Sequence, residues 1–118
     1  MNECTEIIII TAECWRLSKY YPGDVFQTHC DSNFARTAKD KSFFTVNIYL
    51  NAEFSRGRTR FYDDDEDGNE LLSVQPEAGL ALIFAQPPYR FYPHDGEVVE
   101  GGLKYLLRSD VMYRKING

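Results

Sequence analysis

Two histidines and one carboxylate carry the strongest chemical signal in this sequence. The chain contains only two histidines, His29 and His94, and Asp31 lies two residues after the first. On a strand, residues i and i+2 point to one face, so His29 and Asp31 can both reach one metal ion. His94, in Pro93-His94-Asp95-Gly96, can add a third ligand from a later strand. Two imidazoles and a carboxylate on one face of an octahedron leave three positions open, which is the ligand set of non-haem Fe(II) oxygenases. Against this stands the plain alternative of a hydrogen-bonded surface pair, which a His-x-Asp tripeptide taken alone would favour.

Those side chains need a scaffold, and the composition bounds it. With 118 residues there is room for one domain. Hydrophobic residues at 43% and charged residues at 26% give the balance of an ordinary globular protein. Eight Tyr and eight Phe, in a chain that is 14% aromatic, favour strands over helices. A net charge of −5 repels a phosphate backbone, so nucleic acid is not an expected partner. Cys4, Cys14 and Cys30 are odd in number and lack C-x-x-C spacing, which signals neither a disulfide framework nor a thiolate zinc site and points to a reducing, cytoplasmic setting. Ile7 to Ile10 is too short to cross a bilayer, and Glu3 and Glu6 stand where a signal peptide would be basic. No membrane association is expected.

From Trp15 onward, short strand-like runs alternate with turns, the spacing of a sandwich or barrel. Residues 15–21 end in Pro22-Gly23-Asp24, a type II turn signature. Val25 to Asp31 is then an antiparallel neighbour or a strand that bends away. Residues 32–41 are polar and aperiodic and read as a loop. Phe43 to Leu50 alternates cleanly, with Phe44, Val46, Ile48 and Leu50 on one face and Phe43, Thr45, Asn47 and Tyr49 on the other. The second face is polar without charge, which suits the lining of a pocket. Arg58 to Tyr62, Leu71 to Val74, Leu80 to Phe84 and Lys104 to Tyr113 complete the strands.

One acidic tract, Asp63-Asp64-Asp65-Glu66-Asp67-Gly68-Asn69-Glu70, opens like a calcium loop, but Val74 stands where the twelfth-position Glu belongs. With strands on both sides, a solvated hairpin tip accounts for it better.

The stretch from His94 through Lys104 to Tyr113 resembles the end of the catalytic domain of prolyl 4-hydroxylase-like Fe(II)/2-oxoglutarate dioxygenases. The resemblance extends to Tyr21-Pro22-Gly23-Asp24-Val25-Phe26-Gln27-Thr28-His29-Cys30-Asp31, to Tyr49-Leu50-Asn51, to Gly57-Arg58-Thr59-Arg60-Phe61 and to Val74 through Phe84. These segments occur in the family's order over residues 15–113. The similarity implies an all-β, double-stranded β-helix (a cupin-like jelly-roll barrel) with few or no supporting helices, flanked by an N-terminal extension, 1–14, and a tail, 114–118. It implies His29, Asp31 and His94 as iron ligands, Lys104 as the partner of the distal 2-oxoglutarate carboxylate, and Tyr21 and Tyr49 as hydroxyl donors around it. Tyr20 competes with Tyr21 for the first of these roles, and no contact is assigned to Thr59. Arg108 shares the strand face of Lys104 and is read as a structural ion-pair partner in preference to a second carboxylate contact. Cys30 is expected to pack.

The implied activity is hydroxylation of an unactivated C–H bond, a prolyl residue being one candidate, with Fe(II), 2-oxoglutarate and dioxygen, ascorbate as reductant, and succinate and carbon dioxide as products. The substrate would be a peptide or a small molecule, selected by the loops at 32–41 and 85–93. Two features depart from the family pattern. Arg56 replaces the first of two glycines, and only fourteen residues precede Trp15, where members carry helices that buttress the larger sheet. A minimal barrel, a fragment, or a subunit that needs a protein partner or a further N-terminal segment are the expectations that follow, and a non-catalytic binding barrel is the alternative function.

Overall fold

Strand β4, Asp40–Tyr49, shows how the chain uses alternation. Thr45, Asn47 and Tyr49 are all buried, so the polar, uncharged face of this strand points inward. In the computed structural model, residues 7–11 and 14–115 are described. Cys4 and the end of the tail, 116–118, lie outside the described residues.

The larger sheet contains β1 (Ile7–Thr11), β2 (Arg16–Tyr20), β4, β8 (Ala81–Ala85) and β11 (Lys104–Lys115). Its order is β1-β11-β4-β8, with β2 also on β11. Lys104–Arg108 of β11 pairs with β2, and Val111–Lys115 pairs with β1, which lies within the first fourteen residues. The smaller sheet runs β3-β9-β6-β7, formed by β3 (Phe26–His29), β6 (Thr59–Tyr62), β7 (Glu70–Val74) and β9 (His94–Gly96). A ribbon of β5 (Ser55–Arg56) and β10 (Val99–Glu100) completes the set. Every pairing is antiparallel, and no helix occurs among the described residues.

The two sheets face each other. Phe61 and Phe84 meet edge to face at 5.1 Å, Thr45 hydrogen-bonds Asp31, and the Tyr49 hydroxyl shares a hydrogen bond with Thr59. Among the described residues, twelve buried side chains are polar or charged and eight are hydrophobic. An interior this polar is not a packed core alone, because buried polar groups cost free energy unless partnered. On the outer face of the larger sheet the balance is reversed. Leu17, Leu107, Ile48 and Ala81 lie in one row across four strands, and Leu17 and Ile83 are 63% and 58% exposed.

Several elements differ from the alternation read in the sequence. The turn at Pro22-Gly23 forms with Gly23 at φ 94°, closed by Asp24 N–H donating to Tyr21 O at 2.9 Å, and the chain then bends away so that β3 joins the smaller sheet. Strand β4 begins at Asp40, inside the segment read as a loop. Asp40 is buried there because Arg114 meets its carboxylate at 2.8 and 3.0 Å. Strands β5, β9 and β10 have two or three residues, too few to show a period. The acidic tract is the exposed tip between β6 and β7, turned by Gly68 N–H donating to Asp65 Oδ1. The fold is the all-β double-stranded β-helix.

Candidate metal and co-substrate site

The pairing of β3 with β9 sets His29 directly opposite His94, with ring centroids 4.4 Å apart. Asp31 follows two residues after His29, and one ligand atom from each of the three lies within 4.8 Å of the others. No second such group occurs among the described residues, so the acidic tip does not converge on a point.

Both imidazoles are held in the same way. His29 Nδ1 is 2.7 Å from Gln27 O and His94 Nδ1 is 2.8 Å from Tyr92 O. A carbonyl only accepts, so each Nδ1 donates its proton there and each Nε2 is the ring atom left facing Asp31. The two Nε2 atoms point at Asp31 Oδ1, at 3.2 and 3.5 Å. Three potential ligand atoms thus converge on one point, an arrangement that fits a cation. Two imidazoles and a carboxylate suit Fe(II).

Asp31 is buried, and its other oxygen is committed elsewhere. Oδ2 accepts from Thr45 Oγ1 at 2.7 Å and lies 3.2 Å from the Arg108 guanidinium. Burial alone would raise its pKa, but the contacts from His94 and Thr45 and the charge of Arg108 hold it well below the usual carboxylate range. The aspartate is therefore ionised whenever the protein is folded near neutrality.

A small cavity of about 50 Å³ runs from the three ligand residues to Lys104, past Asn47 and Thr59. Asn47 Oδ1 is buried there without a hydrogen-bond partner, an acceptor left for whatever fills the space. Lys104 is 2% exposed and donates to Gly57 O at 2.8 Å. Burial pushes its pKa down to about 8, against the attraction of Glu97 and Asp95. The rings of Tyr20 and Tyr49 lie 5.0 and 5.7 Å from its ammonium, and burial raises the pKa of both phenols.

Of the two adjacent tyrosines, Tyr20 lines the cavity and Tyr21 does not. Tyr20 is paired opposite Lys104 and shares its inward face, so its neighbour must point out. Tyr21 is 54% exposed, beneath the Lys19 ammonium. Arg108 forms the ion pair read for it, with Asp31 as the partner. Cys30 is a free, part-buried thiol whose pKa burial raises, which does not favour a reactive thiolate.

Two groups of supporting residues carry little sequence signal. Gln86, fully buried, accepts from Ser42 and donates to Thr45 at 2.8 Å and to Asp110 at 2.6 Å. Its partners lie on β4 and β11, so nothing local marks it. Beside His94, Arg60 pairs with Asp95, while Arg56, Arg58 and Arg60 surround the buried Glu97. The alternate spacing of Arg58 and Arg60 is the only trace of this network in the sequence.

Similar proteins share this fold. The structure resembles the viral collagen prolyl hydroxylase of Paramecium bursaria Chlorella virus-1 in complex with 2OG, with a TM-score of 0.60 and 21% identity over 95% of this chain. It resembles an oxidoreductase of the 2OG-Fe(II) oxygenase family from Burkholderia pseudomallei, TM-score 0.64, 18% identity over 96% of this chain. It also resembles a prolyl-4-hydroxylase from Pseudomonas putida, TM-score 0.61, 21% identity over 88% of this chain. The chain spans 62%, 46% and 52% of these three proteins. No curated protein sequence matches it. The family model of the 2OG-Fe(II) oxygenase superfamily matches residues 15–109, a span that contains His29, Asp31, His94 and Lys104, and the chain belongs to that superfamily.

Proposed function

We propose that this chain is an Fe(II)- and 2-oxoglutarate-dependent dioxygenase that hydroxylates an unactivated C–H bond. The observation that carries the reading is the convergence of three ligand atoms in the same cavity as a buried lysine. His29 Nε2, Asp31 Oδ1 and His94 Nε2 would hold the iron. When bound, iron supplies the oxidative decarboxylation of 2-oxoglutarate by dioxygen, giving succinate and carbon dioxide and placing one oxygen atom on the substrate.

The protein's own part is binding and exclusion. Lys104 takes the distal carboxylate of 2-oxoglutarate, which meets an ammonium already stripped of water by Tyr20 and Tyr49. Gln27 O and Tyr92 O keep both rings in the ligating tautomer. Asn47, with its unpaired acceptor, takes a donor from the bound molecules. The facing sheets shield the cavity from bulk water. A prolyl residue is the substrate class supported by the two prolyl hydroxylases among the similar structures.

The test is succinate formation from 2-oxoglutarate with Fe(II) and ascorbate under air, with His94→Ala as control. Succinate from the unaltered chain and none from the variant is expected. Folded, iron-loaded protein that neither binds 2-oxoglutarate nor forms succinate would leave a non-catalytic barrel as the better description.

A further inference from the structure

A second, larger cavity of about 490 Å³ adjoins the metal site, within the roughly 300–1,000 Å³ usual for ligand pockets. It is lined by Arg16, Arg36 and Arg108, together with Ser32, Asn33 and Phe34 of the loop after Asp31. Arg108 lines both this cavity and the one that holds His29, Asp31 and His94, so the two spaces meet at its side chain.

Arg16 reaches the cavity from an exposed position on β2. It is the direct cross-strand partner of Arg108 in the pairing of β2 with β11, and directly opposed residues point to the same face. Two like charges so opposed destabilise a sheet. The two less exposed arginines of the cavity are paired, Arg108 with Asp31 at 3.2 Å and Arg36 with Asp40 at 3.3 Å, whereas Arg16 is exposed. Asp110, the acidic group that also lines the cavity, accepts from Gln86. Among the described residues no carboxylate pairs with Arg16. The opposed guanidinium groups leave positive charge at the mouth of the cavity beside the reaction centre, which a ligand carboxylate would offset.

We propose that Arg16 and Arg108 together form a subsite for a carboxylate of the primary substrate, held in the larger cavity with its reacting carbon turned toward the metal ligands. This deepens the oxygenase reading and rests on it for the reaction, although the anion site stands on its own geometry. Ser32 and Asn33 offer hydrogen bonds at the rim, and Phe34 an apolar wall. The carboxylate can be the α-carboxylate of an amino acid or peptide terminus, or an acidic side chain within a peptide.

The probes are matched pairs of short peptides: acetyl-dialanine against its amide, and acetyl-Ala-Glu-Ala-amide against the Gln analogue. Each is titrated into the full chain, saturated with Zn(II) and 2-oxoglutarate, while the arginine Nε–Hε signals are followed by NMR. At least one acid is expected to bind about tenfold more tightly than its neutral partner and to shift the Arg16 and Arg108 signals. Which pair responds identifies the source of the carboxylate. Arg16→Gln should remove the preference and Arg16→Lys should restore part of it. Equal affinity within both pairs, no binding of any probe, or an undiminished preference in a folded Arg16→Gln protein would overturn the subsite. Failure of the unaltered chain to bind 2-oxoglutarate in the same samples would count against the oxygenase reading and leave the anion result to be judged separately.

Discussion

Thr45 Oγ1 donates to Asp31 Oδ2 across 2.7 Å and itself accepts from Gln86 Nε2 at 2.8 Å. A hydroxyl has one proton, so acceptance from the amide fixes its direction toward the carboxylate. Ser42 in turn donates to Gln86 Oε1 at 2.6 Å, which settles which end of the amide faces Thr45. The chain Ser42–Gln86–Thr45–Asp31 therefore reserves Oδ2 for the protein and leaves Oδ1 facing the two histidines.

Thr45→Val is expected to lower metal affinity by about 10- to 100-fold, because Asp31 loses the donor that orients it. It should also cost about 1–3 kcal/mol of stability, since Gln86 loses a buried acceptor. Thr45→Ser should retain most of both. Calorimetric titration with Fe(II) under anaerobic conditions and urea unfolding would check this; unchanged metal affinity in Thr45→Val would show that Arg108 alone orients the carboxylate.

Lys104, with its native pKa lowered to about 8 by burial, gives two pH effects. Affinity for 2-oxoglutarate should fall as pH rises above about 8, and binding near that pH should take up protons, visible as a buffer-dependent heat. For folding, the unfolded lysine titrates near 10.5, so the unfolded state holds the extra proton between about 8 and 10.5 and native stability rises over that window. Lys104→Met should lack both the affinity change and the rise. A 2-oxoglutarate affinity flat from about pH 7 to 9.5 would place the co-substrate carboxylate elsewhere.

The two adjacent tyrosines should separate cleanly. Tyr20→Phe is expected to weaken 2-oxoglutarate binding by a few-fold to about tenfold, the effect of one hydrogen bond. Tyr21→Phe, on the opposite face of the strand, should leave it unchanged. The reverse result would mean that β2 is turned over relative to β11.

Glu97 should govern behaviour in acid. Arg58 first, then Arg56, pull its pKa from 4.5 to about 2, so its stabilisation is complete above about pH 4.5 and is lost as pH falls toward 2. Glu97→Gln is expected to lose about 1–3 kcal/mol near neutrality and to show a shallower decline of stability over that acid window. An unaltered acid slope would assign the decline to other carboxylates.

Arg56 has φ 58°, the left-handed region that costs a side chain about 1–2 kcal/mol. Its ion pairs, 3.4 Å to Glu97 and 3.2 Å to Glu100, involve an arginine that is 47% exposed and contribute about 0–1 kcal/mol each. Arg56→Gly is therefore expected to change stability by between about −1 and +2 kcal/mol in thermal unfolding. A loss greater than about 1 kcal/mol would show that the ion pairs outweigh the backbone term.

Much of this site was legible because it rests on period-two alternation. The Thr45-Asn47-Tyr49 face of β4 reads as a pocket wall; all three are buried, and Asn47 lines the cavity. His29 and Asp31, two residues apart, share a face in the structure. The choice between Tyr20 and Tyr21 could not be made from the run alone, because it depends on which residue is set opposite Lys104, a register that no local pattern encodes. Strand β9, which carries His94, is too short to show any period. Gln86 is invisible for a different reason: its partners are 41 and more residues away along one direction and 24 along the other. Asp40 looks like a loop residue until Arg114, 74 positions later, is placed beside it.

The outward row Leu17, Leu107, Ile48 and Ala81, with Ile83 beside it, has a practical consequence. Environment-sensitive dyes that brighten on apolar surface will bind the folded protein through this face, since contiguous patches of this kind are uncommon on monomers. Their fluorescence will then start high and change little on heating, a signal easily mistaken for a partly unfolded sample. Replacing Leu17 and Ile83, 63% and 58% exposed, by Thr should darken the dye at low temperature while near-ultraviolet circular dichroism remains native.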